Sequence, residues 1–212
     1  MWLPIRGGRL EANAAGSGPD AVVFLHEISP EGMCGFAAYA AWLVAHYRAV
    51  QVVLVNRCGY GASACHSEAS ATNIVTETEP AIAWARGHGA RRITLVGASG
   101  GGMDALEAAA LIPGIAAVVD LSGDVNDTGA DDNALVRRIA IPALLVAAPD
   151  DQFVSIAVLR GYYAKIPARV KRLLVENNDP GVHGWDLLTG ANGQPPSPLA
   201  VTVANWALGR IS

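Results

Sequence analysis

Ser99 sits at the centre of a Gly-x-Ser-x-Gly pentapeptide, Gly97-Ala98-Ser99-Gly100-Gly101, between the β-branched run Arg92 to Val96 and a helical pattern. A serine displayed on so tight a strand-to-helix turn is a candidate nucleophile. The backbone there is strained, and a side chain at Gly97 or Gly101 would collide with the neighbouring strand or helix. The turn also aims the Gly100 N–H and the positive end of the following helix above Ser99, where the oxyanion of an acyl-transfer intermediate would form.

A serine nucleophile needs a base, which in the usual order for this turn (nucleophile, acid, histidine) lies downstream. His26, His46, His66 and His88 all precede Ser99, which leaves His183, flanked by Gly181 and Gly184 on a loop able to approach the serine closely. For the acid, the strand-like run Ala143 to Ala147 ends in Pro149-Asp150-Asp151-Gln152, delivering two carboxylates to the ligand face of a parallel sheet. Paired aspartates ahead of a helix starting near Ser155 are also ordinary capping material. Asp120 and Asp124, around the end of the preceding strand, are further candidates.

With these segments in hand the chain resembles the α/β-hydrolases. In that family the acid commonly follows this strand in a Gly-x-x-Asp-x-x-(β-branched) pattern, which aligns with Ala148 to Val154 and implies Asp151 as the acid. Ala21 to Ile28 resembles the family's third strand and the His-Gly motif after it, which implies Ile28 as an oxyanion-hole donor through its backbone N–H. Val52 to Ser63 resembles the next strand and an Asp-x-Arg-Gly-x-Gly-x-Ser turn, with Asn56 in place of the aspartate and Cys58 inserted after Arg57. The arginine and glycines of that turn organise the loop and are given no catalytic role. The resemblance spans about Val22 to Leu208. It implies a Ser99-His183-Asp151 triad acting on a carboxylic ester or thioester through an acyl-enzyme, with Ile28 and Gly100 as oxyanion donors and no cofactor. Perhydrolysis, C–C cleavage and amide hydrolysis can use the same residues.

One departure stands beside the proposed oxyanion donor. Glu27 replaces the family's glycine after the histidine. A carboxylate about 6 Å from a developing oxyanion would cost about 3 kcal/mol at an effective dielectric of 20, slowing the reaction about a hundredfold. The expectation is therefore that Glu27 points to solvent or pairs with an arginine such as Arg57. An inward Glu27 would suit a suppressed, ligand-binding or regulatory relative. Glu27, Met103 and Trp185 are candidate pocket residues by their closeness to the other candidates, Met103 and Trp185 having core packing as the alternative.

The chain of 212 residues is 51% hydrophobic with a formal charge of −4, enough to bury a full core and too acidic to favour nucleic acid. Its longest apolar stretch, Gly35 to Tyr47, is shorter than a membrane span. Met1 to Gly8 has no basic leader or long apolar centre and reads as a strand with a Gly-Gly turn, so cytoplasmic residence is expected. In a reducing compartment Cys58 and Cys65 would remain free thiols. The dispersed histidines and the lack of Cys-x-x-Cys or His-x-x-x-His spacing give no support for a metal. The expected partner is a small-molecule substrate, and oligomeric state is left open.

These residues are positioned by alternating patterns. Strands are expected near 21–25, 51–55, 92–96, 115–121, 143–147 and 170–175, and helices near 35–46, 72–86, 101–110, 131–138, 155–165 and 198–208. That alternation predicts a single α/β domain over residues 1–212, a mostly parallel sheet with helices on both faces. Residues 2–13 would add an antiparallel hairpin at one edge. Only about 20 residues separate the strand ending near Leu121 from the next, too few for a large cap, so the pocket should be shallow and open.

Overall fold

The computed structural model describes residues 1–65, 73–123, 132–176, 181–189 and 195–211. Its centre is the parallel pair β3 (Asp20–Leu25) and β6 (Arg92–Ala98). Beyond Asp20 and Arg92 at their starts and the buried Thr94, both strands are apolar because both faces are covered. Val22 and Phe24 of β3 and Val96 of β6 face one core, while Val23, Leu25 and Leu95 face the other.

Parallel pairing continues outward through β4 (Val50–Val55) on one side and β7 (Ala117–Leu121), β8 (Ala143–Ala147) and β9 (Lys171–Val175) on the other. The N-terminal hairpin, β1 (Trp2–Ile5) and β2 (Gly8–Gly16), turns at Gly7, whose φ of +83° suits a residue without Cβ. It is longer than the sequence pattern implies, because the second half of β2 pairs antiparallel with β4, from Ala12 opposite Val55 to Gly16 opposite Gln51. The two-residue β5 (Ala64–Cys65) pairs with β2, and the remaining strands run in the order β1-β2-β4-β3-β6-β7-β8-β9.

Helices α1 (Ala37–His46) and α6 (Pro198–Ala207) cover one face. Helices α2 (Ile74–Gly87), α3 (Gly100–Leu111), α4 (Asp132–Val136) and α5 (Ile156–Lys165) cover the other. Several begin where a side chain satisfies orphan N–H groups: Asn73 accepts from Val75 and Thr76, Ser155 from Ala157, and Ser197 from Ala200 with Pro198 at the first helical position. The helical pattern near 35–46 divides into a 3₁₀ turn, Gly32–Phe36, and α1. Among the described residues no helix is long and apolar enough to cross a membrane.

The connection from β3 leads to β4 on one side, whereas β6 lies on the other, so the loops leaving β3 and β6 diverge and open a crevice at their C-terminal ends. Ser99 follows β6 and Ile28 follows β3 at that crevice. Between β7 and β8 lie residues 122–142, of which α4 takes five. Asp124 falls outside the described residues.

The expectation of free thiols at Cys58 and Cys65 is corrected: the two form a disulfide, with Cα atoms 5.7 Å apart. Gly59 and Gly61, at φ of +87° and +53°, fold the loop back, and pairing of β5 with β2 sets Cys65 opposite Gly8. Tertiary pairing of β5 with β2, which no local property of the two cysteines marks, brings the sulfurs together. Cys34 is free and exposed.

Candidate active site

Ser99 follows β6 and caps α3 with φ +52° and ψ −125°, a conformation costly for a residue with Cβ and held by the elements around it. Its N–H donates to Leu121 O at 2.8 Å, and its carbonyl accepts from Gly102 N–H at 2.8 Å to open α3. The flanking glycines are a packing necessity. A Cβ on Gly97 would run into the backbone of Gly101, and one on Gly101 would run into the carbonyls of Leu25 and His26.

The His183 Nδ1 lies 2.9 and 2.8 Å from the two carboxylate oxygens of Asp151. The Asp151 side chain is fully buried, while that of His183 keeps 16% exposure. Asp151 is fixed by the turn it opens, since its Oδ1 accepts from the N–H groups of Phe153 at 2.9 Å and Val154 at 3.3 Å. Asp150, its neighbour, is exposed, and Asp120, on β7, is buried with its carboxyl against Gly102, in the first turn of α3, and Gly123. His183 reaches the serine turn through Gly184, where a Cβ would lie 3.6 Å from Ala98 Cβ. Among the described residues the structure shows no hydrogen bond between Ser99 Oγ and His183, so the pair it joins directly is His183 with Asp151.

Across the turn, the Ile28 side chain packs on Gly100, 3.0 and 3.1 Å from where a Cβ would stand. Neither the Ile28 nor the Gly100 N–H has an acceptor among the described residues. The loop bearing Ile28 is held by His26, which is wholly buried. Its Nδ1 is 2.7 Å from Glu27 O, and Arg57 N–H donates to its Nε2 at 3.0 Å. This pattern defines a neutral imidazole with the proton on Nδ1, and burial pushes its pKa down to about 4. Arg57 pairs at 2.8 Å with the buried Asp104 of α3. Asn56 accepts from Met33 N–H at 2.7 Å and donates to Glu11 at 2.9 Å. Both residues therefore brace loops around the turn.

Glu27 reverses the sequence expectation. Instead of facing solvent or Arg57, its carboxyl is directed inward against Gly184, and a Cβ on Gly184 would collide with Oε2. That oxygen is buried without a hydrogen-bond partner among the described residues. Burial pushes the Glu27 carboxyl up to about 7, opposed by the His183 charge and the Trp185 N–H and reinforced by Asp186 and Glu31. The physical reason is chain direction: Arg57 is engaged by Asp104, and His26 fixes the Glu27 peptide so that its side chain enters the space left by Gly184. Met103 is buried in the core beneath α3, and Trp185 packs edge-on to Phe36, ring centroids 5.7 Å apart.

Phe153 was not singled out by the sequence. It is 67% exposed, with its ring centroid 4.7 Å from that of His183. The available signal was an aromatic two residues after the proposed acid. Ile28, packed on Gly100, is likewise exposed, at 55%. Among the described residues no group of three or more His, Cys, Asp or Glu is disposed to hold a metal.

Together the mostly parallel sheet, the antiparallel N-terminal pair, the two helical layers and the strained serine turn define an α/β-hydrolase fold, and this chain has it. The Pyrococcus furiosus esterase Pf2001 superposes with a TM-score of 0.79 at 12% identity, covering 100% of this chain and 90% of that one. Est1E from Butyrivibrio proteoclasticus, solved with ferulic acid bound, gives 0.74 at 14% identity over 99% and 97% of the two chains. A monoacylglycerol lipase from Paleococcus ferrophilus gives 0.72 at 14% identity over 94% and 98%. No protein-family model matches the chain, and no curated protein matches it in sequence.

Proposed function

We propose that the protein is a serine hydrolase of carboxylic esters or thioesters, with Ser99 as nucleophile, His183 as base and Asp151 as the acid that orients it. The observation that carries this reading is the buried Asp151 carboxylate on His183 Nδ1, beside a serine held at positive φ. The carboxylate selects the tautomer whose Nε2 is free to accept the serine proton, and it stabilises the imidazolium that forms. Attack on the ester carbonyl gives an oxyanion for the N–H groups of Ile28 and Gly100. The leaving alcohol or thiol takes its proton from His183, and water activated by His183 releases the acid. No step calls for a cofactor. Phe153 and Ile28 suit an apolar group left partly exposed, and the ferulic acid held by Est1E makes esters of small aromatic acids the first substrates to try.

A second reading, a suppressed hydrolase that binds ligand with little turnover, is favoured by the inward Glu27. Fluorophosphonate labelling, with the modified residue located by peptide mass spectrometry, separates the two. Labelling at Ser99 that disappears in Ser99→Ala and His183→Ala supports the hydrolase. A folded protein that resists labelling supports the suppressed site.

A further inference from the structure

Cys58 interrupts the turn after β4, and its disulfide with Cys65 closes residues 58–65 into a covalent loop that the proposed mechanism leaves unused. That loop covers His26. The Tyr60 ring, from within it, stands edge-on to the imidazole with centroids 4.5 Å apart. Arg57, next to Cys58, donates its N–H to His26 Nε2 at 3.0 Å, and the other ring nitrogen is 2.7 Å from Glu27 O. The loop, the wholly buried imidazole and the peptide that leads to Ile28 thus form one series of contacts. The ends of the loop are fastened elsewhere. Cys58 N–H donates to Glu77 Oε2 at 2.9 Å, Ala62 N–H to Glu11 Oε2 at 2.8 Å, and Ser63 Oγ to Asn56 O at 2.8 Å. The span that carries Tyr60 is bonded only within the loop among the described residues, Tyr60 N–H to Arg57 O and Ser63 N–H to Tyr60 O. Gly59 and Gly61 flank Tyr60, both exposed and at positive φ, so its backbone is free to move once the loop is opened. The disulfide is what keeps that span short.

We propose that the Cys58–Cys65 disulfide is a redox switch of the active site: intact, it holds Tyr60 and Arg57 on His26 and so keeps the Ile28 N–H in place, and reduction releases them. The catalytic consequence rests on the hydrolase reading, while the grip on His26 is a property of the fold. Cys58 and Cys65 are both half-buried, within reach of a thiol. The reductant is a dithiol. One of its thiolates attacks a sulfur of the bridge, forming a mixed disulfide and expelling the other cysteine as a thiolate, which takes up a proton. The second thiol of the reductant then displaces the remaining cysteine. Two electrons and two protons pass to Cys58 and Cys65, and the reductant leaves as an internal disulfide. His26 reports the state of the loop. Burial and the Arg57 charge push its pKa down to about 4, opposed by the hydrogen bond to Glu27 O. An imidazole uncovered by Tyr60 meets water and returns toward its ordinary value of 6.5.

The experiment follows the His26 ring by NMR from about pH 4.5 to about pH 8, in protein carrying Cys34→Ser, before and after reduction with dithiothreitol. The oxidised ring should stay neutral across most of that range, and the reduced ring should protonate within it. In parallel, kcat for a small aromatic ester should fall about tenfold to a hundredfold on reduction, short of the loss of an oxyanion donor outright, with little change in KM. It should return on reoxidation. A protein with both Cys58→Ser and Cys65→Ser should behave as the reduced form and ignore the reductant, which separates the bridge from any other effect of dithiothreitol. A His26 ring that titrates alike in both states overturns the proposal, as does a reduced protein that has lost its near-ultraviolet circular dichroism, because the switch requires the fold to survive. An active enzyme whose kcat is the same in both states overturns it too. If His26 responds to reduction while Ser99 stays unlabelled in the oxidised protein, the hydrolase reading fails and the redox grip on His26 stands.

Discussion

Replacing Asp120 by Asn should make the protein markedly more stable at alkaline pH and not at acid pH. Asp120, the penultimate residue of β7, lies beneath the serine turn, fully buried, with its oxygens against Gly102 and Gly123 and without a hydrogen-bond partner of ordinary geometry among the described residues. Burial pushes its carboxyl from 3.8 up to about 7, only partly offset by the Gly123 N–H. Because the folded value lies above the unfolded one, the native state binds more protons between them, and stability falls as pH rises through that window. The penalty is absent below about 3.8 and complete above about 7. At about 1.36 kcal/mol per pH unit it amounts to about 4 kcal/mol. Asn escapes ionisation but buries an amide that lacks partners, at about 1–2 kcal/mol. The net gain at pH 8 is then about 2–3 kcal/mol, or roughly 4–12 °C in Tm for a chain of this size. Urea denaturation of both proteins at pH 4 and pH 8 measures it. The difference between them should swing by about 4 kcal/mol across that range; a difference that stays flat would refute the reasoning.

Three further outcomes are expected. Asp151→Asn should lower kcat by about a thousandfold or more while leaving KM similar, since Asn favours the wrong tautomer of His183; stopped kinetics with an activated ester checks this, and unchanged kcat would return the acid to another carboxyl. Phe153→Ala should raise KM for esters of aromatic acids several-fold over those of acetate, with stability within about 0.5 kcal/mol of the parent because the ring is already exposed; equal KM values for both esters would remove Phe153 from the binding wall. Thiol titration of native protein without reductant should find one reactive cysteine, Cys34, and three after reduction and denaturation. Reduction should also cost about 2–3 kcal/mol, as for other short closed loops.

Much of the architecture was legible because each strand buried on two faces must be apolar throughout and each turn must carry its special residues. Ala143 to Ala147 matches β8 residue for residue, and 198–208 matches α6 within one. The strand over 92–96 extends to Ala98, because Gly97 and Ala98 still pair with Asp120 and Leu121 before the chain turns at Ser99. Short elements escaped. Nothing local in Ala64-Cys65 marks a strand; β5 exists because β2 offers it a partner. The 3₁₀ turn Gly184–Leu188 escaped likewise, its course being set by Glu27 and by packing of Trp185 on Phe36.

By itself the sequence determined the serine turn, the order of candidate residues along the chain and the α/β alternation, because glycine spacing and hydrophobic period are local properties written in neighbouring residues. Tertiary structure alone decided which aspartate meets His183, that Cys58 meets Cys65, and that Glu27 turns inward. Those outcomes depend on atoms far apart in the chain: a turn after β8 that presents Asp151 and exposes Asp150, a two-residue strand that finds β2, and a glycine at 184 that leaves room for a carboxyl from residue 27.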